Sequence, residues 1–282
     1  MREKGILHVV GTPIGNLEDI TLRAIDTLKN VDVILAEDTR QTLKLLNHLN
    51  IEKHLISYHR HNEDDKIKKV QEFLDNGKNL ALVSDAGMPI ISDPGQNLVK
   101  YLISTGYKIE VIPGVTALTT AIVGSGLDST RFTFEGFLSI NKKQRKLRLS
   151  ELKNEERTMI FYEAPHKILS TLEDMLEYFG NRKICIAREL TKIYEEFIYT
   201  DLVNEIANIR ENSIKGEIVL IVEGIDKELI LKEESLDVFN LSSKELVLKE
   251  INNGLSKKDA IKKVAKLKGV NKNEVYKECF EL

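Results

Sequence analysis

Cysteine is scarce in this chain. Its 282 residues include only Cys185 and Cys279, too far apart for ligand spacing, so neither a disulfide framework nor a zinc site is supported and a reducing cytoplasm is the expected compartment. Long apolar runs are also missing, which excludes a predicted membrane span. The N-terminal MREKGILHVVGTPIGN passes from a short apolar stretch straight into a Gly-Pro loop, and reads as a first strand rather than a signal peptide. Charge of one sign is not in excess either: the net charge of −3 argues against non-specific coating of nucleic acid. Several ligand signatures are lacking. No G-x-x-x-x-G-K-[ST] supports a nucleoside triphosphate site, and no G-x-S-x-G elbow supports a hydrolase. No G-x-G-x-x-G follows the first strand, where GTPIG places a proline at the point a helix should meet a pyrophosphate.

What is present is a soluble α/β pattern with 42% hydrophobic and 30% charged residues. Strands are read at 6–10, 31–37, 55–58, 80–84 and 107–112, separated by helical segments. Such near-continuous Val/Ile/Leu runs predict a mainly parallel sheet covered on both faces. Beyond residue 115 the pattern predicts a second α/β domain with a mixed sheet. There RFTFEGFL (131–138) is read as a half-buried antiparallel strand, and its aromatics as core packing. A helical, lysine-rich unit closes the chain. The expected domains are 1–114, 115–228 and 240–282, the last with a helix-turn-helix pattern in which Gly269 makes the turn and Asn271 caps the second helix. Two basic stretches stand out: NKKQRKLR (141–148) holds five basic residues and no acid, and 257–272 holds seven lysines against one aspartate. Either can be a solvated helix face.

In open parallel sheets ligands bind beyond the carboxyl ends of the strands. Here those ends run into GTPIGN, AEDTR, YHRHNE, SDAGMP and PGVTA. Gly, Pro and charges recur at one edge, which points to a ligand cleft. Gly87 and Gly114 let backbone approach a flat ligand, and Asp85 offers an acceptor. A small adenosine-containing molecule without phosphates fits that inventory.

In that order and spacing, VGTPIGNLEDITLRA, AEDTR, SDAGMPIISDPG, VIPGVTAL, FEGFL, FYEAPHK and AREL resemble the S-adenosylmethionine-dependent tetrapyrrole methylase superfamily. The likeness is greatest to its bacterial branch that 2′-O-methylates a cytidine of small-subunit (16S) ribosomal RNA. It covers about residues 5 to 224 and departs from the usual pattern at Met88 and Lys167, where Thr and Arg are usual. The resemblance implies a homodimer of two α/β domains with S-adenosylmethionine held between them. On matching positions it implies cofactor contacts from Pro13, Asp85, Ala86, Gly87, Thr116, Ala117, Phe161, Tyr162, Ala187, Gly216, Glu217 and Ile218.

Methylating a ribose hydroxyl requires a proton acceptor. Glu37, Asp38, His59, His61 and Glu18 are the candidates, although Asp38 also suits a helix N-cap and the two histidines could face RNA phosphate or solvent. Arg23, Arg40 and Arg60 are candidate RNA contacts that could equally be surface ion pairs, and Lys142, Lys143 and Arg145 join them from the basic helix. His8 is read as core, His166 as non-catalytic, Arg188 and Glu189 as structural links, and Asp93 as a turn or cap. No metal is implied. Two rivals remain: a precorrin-type methylase of the same fold, and a helix-turn-helix regulator that does no chemistry.

Overall fold

The computed structural model describes residues 3–60, 62–226, 241–252 and 254–279. The chain separates into two compact units, Met1–Gly224 and Ile225–Leu282. In the first unit, strands β1 (Ile6–Val10), β2 (Val33–Ala36), β3 (His54–Ser57), β4 (Leu80–Val83) and β5 (Lys108–Ile112) form an all-parallel sheet in the order β3-β2-β4-β1-β5. Its central strands read VILA and LALV because both faces are covered. Leu80 and Leu82 pack with Val70, Leu74, Leu98 and Leu102 from helices α3 (Glu63–Asp75) and α4 (Gln96–Ser104). The alternate residues Ala81 and Val83 pack with Ala24, Leu28 and Leu46 from α1 (Leu22–Asn30) and α2 (Thr39–His48). Period-two alternation thus loads two layers from one strand. Side chains start the helices: Thr21 accepts from the Ala24 amide and Asp38 from the Arg40 amide, each satisfying an otherwise orphaned donor.

After α5 (Ala117–Gly124) comes a second sheet, ordered β6-β7-β10-β8-β9, from β6 (Phe132–Phe137), β7 (Thr158–Glu163), β8 (Lys183–Arg188), β9 (Glu196–Asp201) and β10 (Ile218–Val222). It is mixed, but β6 is not the antiparallel strand its sequence suggested: it runs parallel to β7, while the other pairings are antiparallel. The reason is the connection. α6 (Lys142–Leu152) carries the chain back between the two strands, and such a crossover delivers a parallel neighbour. A register shift between Phe134 and Gly136, the latter at φ +63°, bulges the strand. On one face Met159 and Phe161 bury against α6, α7 (Ile168–Phe179) and α8 (Leu202–Glu211). On the other, Ile160, Ala187 and Val219 meet α5 and Ile14 from the first loop. Cys185 also lies on that face, fully buried, with its thiol pushed up to about 11 by burial.

α6 corrects a second expectation. Arg145 is not on the open basic face. It is buried, and its Nε and Nη2 both lie 2.7 Å from Asp174 Oδ2 on α7. It is therefore out of reach of phosphate, whereas Lys142 and Lys143, one turn earlier, are exposed.

The second unit comprises α9 (Ser243–Asn252), α10 (Lys257–Lys268) and α11 (Lys272–Glu278), packed on Leu246, Val247, Ile261, Val264 and Val275. Gly269 ends α10 at φ +64°, and the Asn271 side chain starts α11 by accepting from the Asn273 amide. Among the described residues no helix is long and apolar enough to cross a membrane.

Candidate functional site

The loops beyond β1, β2, β4 and β5 share one edge because those strands are parallel, and part of the second sheet faces them. Between them lies a cavity of about 490 Å³, within the range of small-molecule sites. All five prolines of the chain (13, 89, 94, 113 and 165) lie in loops that leave strands toward it.

Its first wall is main chain joined to main chain. Thr12 and Gly87 exchange amide–carbonyl hydrogen bonds of 2.9 and 3.1 Å, tying the β1 loop to the β4 loop. Behind them a Cβ on Gly11 would lie 2.8 Å from the Gly114 Cα, so only glycine lets the β1 and β5 loops cross this closely. Gly87 sits at φ +80° and turns the chain so that Asp85, Ala86 and Met88 line the cavity beside Ile14, Thr116 and Ala117. The Thr116 hydroxyl accepts from the Thr119 amide at the start of α5.

The opposite wall comes from the second sheet. Tyr162 faces the cavity, with Phe134 and Phe137 set edge-on to its ring at 4.9 and 5.5 Å. Gly216, Glu217 and Ile218 complete this side with Leu190. Glu189 holds that strand entry by accepting the Glu217 amide at 2.9 Å, and this hydrogen bond, with Lys192, keeps its carboxyl below the usual range.

Charge inside the cavity has one sign. Glu37, Asp85, Asp93, Glu163 and Glu217 line it, and among the described residues no Lys or Arg does. Burial, reinforced by Asp93 and then Asp85, raises the Glu37 pKa, and Arg60 partly offsets this. Burial likewise raises Asp93 and, at the phenol, Tyr162. Among the described residues no three His, Cys, Asp or Glu side chains converge to hold a metal ion.

Of the residues expected from sequence, Asp85, Ala86, Gly87, Thr116, Ala117, Tyr162, Gly216, Glu217 and Ile218 lie on this lining, together with Glu37. Pro13 is buried beside the first wall. Phe161 and Ala187 are buried, one under the helices and the other under α5, so their side chains are closed to a ligand. Asp38 points away into a fork with Arg40, whose hydrogen bonds hold its carboxyl down to about 2. His59 Nε2 lies 3.2 Å from the Asn62 amide nitrogen and does not reach the lining; His61 lies outside the described residues. Glu18 is exposed in a 3₁₀ turn. Arg23 donates to the Val111 carbonyl, Arg40 is paired with Asp38, and Arg60 donates to the Ser92 carbonyl at 2.6 Å. His8 is largely covered, and burial lowers its pKa although Glu110 lies 3.4 Å from Nδ1.

Sequence reading missed Met88, Asp93, Phe137, Glu163 and Leu190 on the lining. Asp93 is a correction: it is part of the cavity, not only a turn. The doubled aspartate of SDAGMPIISDPG was the available signal. Phe137 departs in the same way from the expected core packing. It is 59% exposed and closes the end of β6 over the cavity, a position its alternating pattern could not distinguish from a buried one.

An open parallel sheet whose loops meet a mixed sheet across an acidic, phosphate-averse cavity defines a two-sheet α/β enzyme built for a small cationic or neutral ligand. The chain belongs to the tetrapyrrole (corrin/porphyrin) methylase family, whose model matches residues 6–207, and it is a methyltransferase. A Bacillus subtilis protein named ribosomal RNA small subunit methyltransferase I is 49% identical over 97% of this chain and 94% of its own length. A Thermotoga maritima protein of the same name is 48% identical over 78% of this chain and 99% of its own. Among solved structures, uroporphyrin-III C-methyltransferase from Thermus thermophilus, complexed with S-adenosyl homocysteine, shares the fold with a TM-score of 0.57 at 18% identity, covering 78% of this chain and 97% of that one.

Proposed function

We propose that this chain methylates the ribose 2′-hydroxyl of a cytidine in 16S ribosomal RNA of the small subunit, using S-adenosylmethionine, as a cytoplasmic homodimer. The observation that carries the cofactor is the lining: five carboxylates and, among the described residues, no basic side chain suit a cofactor bearing a sulfonium and an ammonium better than a phosphate-bearing cofactor. The residues present fit such a molecule. Ala86, Thr116, Ala117 and Gly216 leave backbone accessible, Ile14, Leu190, Ile218 and Tyr162 supply apolar surface for an adenine, and Asp85 supplies an acceptor. When bound, S-adenosylmethionine supplies an electrophilic methyl group.

The chain's own part is to orient the acceptor and take its proton. Glu37 is the proton acceptor in this reading: it lines the cavity, and its raised pKa makes it a better base than Asp38, which is held near 2. Phe137 and Tyr162 exclude water from the reacting oxygen. Exposed Arg40, and Lys142 and Lys143 on α6, are available for phosphate. The relatives named for small-subunit rRNA, matched over nearly their whole length, support RNA over a tetrapyrrole. For the homodimer, Val123 (82% exposed) and Tyr199 (65% exposed) are neighbouring open apolar side chains, the Tyr199 hydroxyl donating to the Gly124 carbonyl at 2.8 Å. A chain running at monomer mass in light scattering would count against that dimer.

Incubating the full chain with labelled cofactor and small subunits from cells lacking this methylation tests the reading. Label on one cytidine ribose is expected; label on a porphyrinoid and none on rRNA would replace RNA with a tetrapyrrole.

The C-terminal helices fit as an RNA-docking module. Lys258, Lys262 and Lys266 repeat every fourth residue along α10, all exposed, with no acid paired to them among the described residues, whereas Lys263 is paired with Glu250 at 2.8 Å. Like charges at this spacing weaken a helix, and a phosphate backbone relieves them. Changing all three to Gln is expected to raise KM for subunits about tenfold and to flatten the log–log salt slope by about 2–3, with kcat unchanged. An unchanged KM would remove the docking role.

A further inference from the structure

The cofactor reading leaves two sets of residues unexplained: Tyr58, Arg60 and Glu63 in the turn region between β3 and α3, and the second half of the β4 loop at 90–97. Ile90 and Ser92 stand at φ +77° and +71°. A β-branched residue in that region is a genuine outlier, and such backbone persists only where its surroundings over-determine it. The restraints come from the turn. Arg60 Nη2 donates to the Ser92 carbonyl at 2.6 Å. Buried Glu63 accepts from the Gly95 amide at 3.2 Å, from Asn97 Nδ2 at 3.4 Å and from the Tyr58 hydroxyl at 2.9 Å. Asp93, half-buried on the cavity lining, lies between the two clamps.

Asp93 shares that lining with Glu37, Asp85, Glu163, Glu217 and the Tyr162 phenol. Burial favours the protonated forms of Glu37 and Asp93 among them. Arg60 is the cation that acts on both Glu37 and Asp93, opposing the effect of burial on each.

We propose that Arg60 is a positioning residue: anchored on the Ser92 carbonyl, its guanidinium holds the strained 90–93 backbone so that Asp93 stays in the cavity. The second half of SDAGMPIISDPG then forms one device with Tyr58, Arg60 and Glu63. The effect expected on kcat rests on Glu37 accepting the hydroxyl proton; the clamp itself does not.

Arg60→Gln and Arg60→Lys in the full chain test it with two readouts. In ligand-free protein, hydrogen exchange of amides 90–97 is expected to quicken about tenfold in R60Q, the scale of one hydrogen bond to a charged group. The amides of β1 and β4 stay unchanged, and R60K recovers part of the protection. In methyl transfer, kcat is expected to fall at least about tenfold with little change in KM for subunits, and the acid limb of the pH profile to move upward as the carboxylates lose their cation. Unchanged exchange at 90–97 overturns the clamp whatever the substrate proves to be. A raised KM with a salt slope shallower by about 0.9, at constant kcat and acid limb, would make Arg60 a phosphate contact instead. If the wild-type chain fails to label rRNA, the substrate assignment falls and the exchange experiment still decides the clamp.

Discussion

Glu37→Gln is expected to lower kcat by roughly 100- to 10,000-fold, the usual contribution of a positioned general base, while binding of S-adenosylmethionine by calorimetry persists. The substitution keeps the size and shape of the side chain at the end of β2 and removes only its capacity to take a proton. Glu37 and Asp38 are adjacent in sequence, but the fold gives them opposite chemistry. Burial and the nearby Asp93 and Asp85 raise Glu37, whereas Arg40 holds Asp38 near 2 in an exposed pair. Asp38→Asn therefore leaves kcat nearly intact, because Asn caps a helix as well as Asp does. The pH dependence has a definite sign. The reactive form is the carboxylate, so the wild-type rate falls as pH drops through a pKa above the ordinary glutamate value, and E37Q flattens that limb. A loss under tenfold in E37Q would assign the acceleration to alignment of the reacting atoms, without a protein base.

Asp174→Ala is expected to destabilise the protein by about 3–5 kcal/mol, because it leaves the Arg145 guanidinium buried without its counter-ion. The side chains of the pair are only 9% and 8% exposed, and both Arg145 nitrogens reach the same carboxylate oxygen at 2.7 Å. Lys146 also lies 3.7 Å from the other Asp174 oxygen, but it keeps Glu177 at 2.5 Å when Asp174 is lost. Arg145 has no such substitute. For a unit of this size the loss corresponds to a fall in Tm of about 10 °C or more, measured by calorimetry. Asp174→Asn, which retains an acceptor oxygen, falls less. Below the new transition, D174A is expected to show an unaltered KM for subunits, since Arg145 contributes to the helical layer and not to RNA. A Tm unchanged in D174A would show that the pair adds nothing over solvent.

The parallel sheet was legible in sequence because burial on both faces writes itself as VILA and LALV, and because loops after parallel strands must share an edge. Helix starts at Asp38 and Asn271 were equally local, each a side chain meeting an amide two residues ahead. Features decided at long range were not legible. NKKQRKLR carries five basic residues and no acid, and only Asp174, 29 residues on from Arg145, withdraws it from that surface. TMIFYE is apolar nearly throughout, so no alternation tells that Tyr162 meets the cavity while Phe161 turns away; a shift of one residue reverses the assignment. The direction of β6 depended on where α6 returned the chain. Asp93 looked like a turn residue because its neighbours Pro94 and Gly95 are turn residues, and the reach of Arg60 from another loop leaves no mark in the sequence around either.

The Thr12–Gly87 bridge and the Gly11–Gly114 crossing have a consequence for inhibition. A compound that takes its affinity from this wall would recognise main chain, and main chain cannot be altered one codon at a time. A side chain at Gly11 would collide with Gly114, and one at Gly87 would be forced into a left-handed backbone 3.2 Å from Ile14. Escape would fall on side chains, at Met88 and Ile91 of the β4 loop and at Phe137 of the opposite wall, which can change without breaking the loops apart. Resistance and selectivity would therefore be drawn from the same few positions.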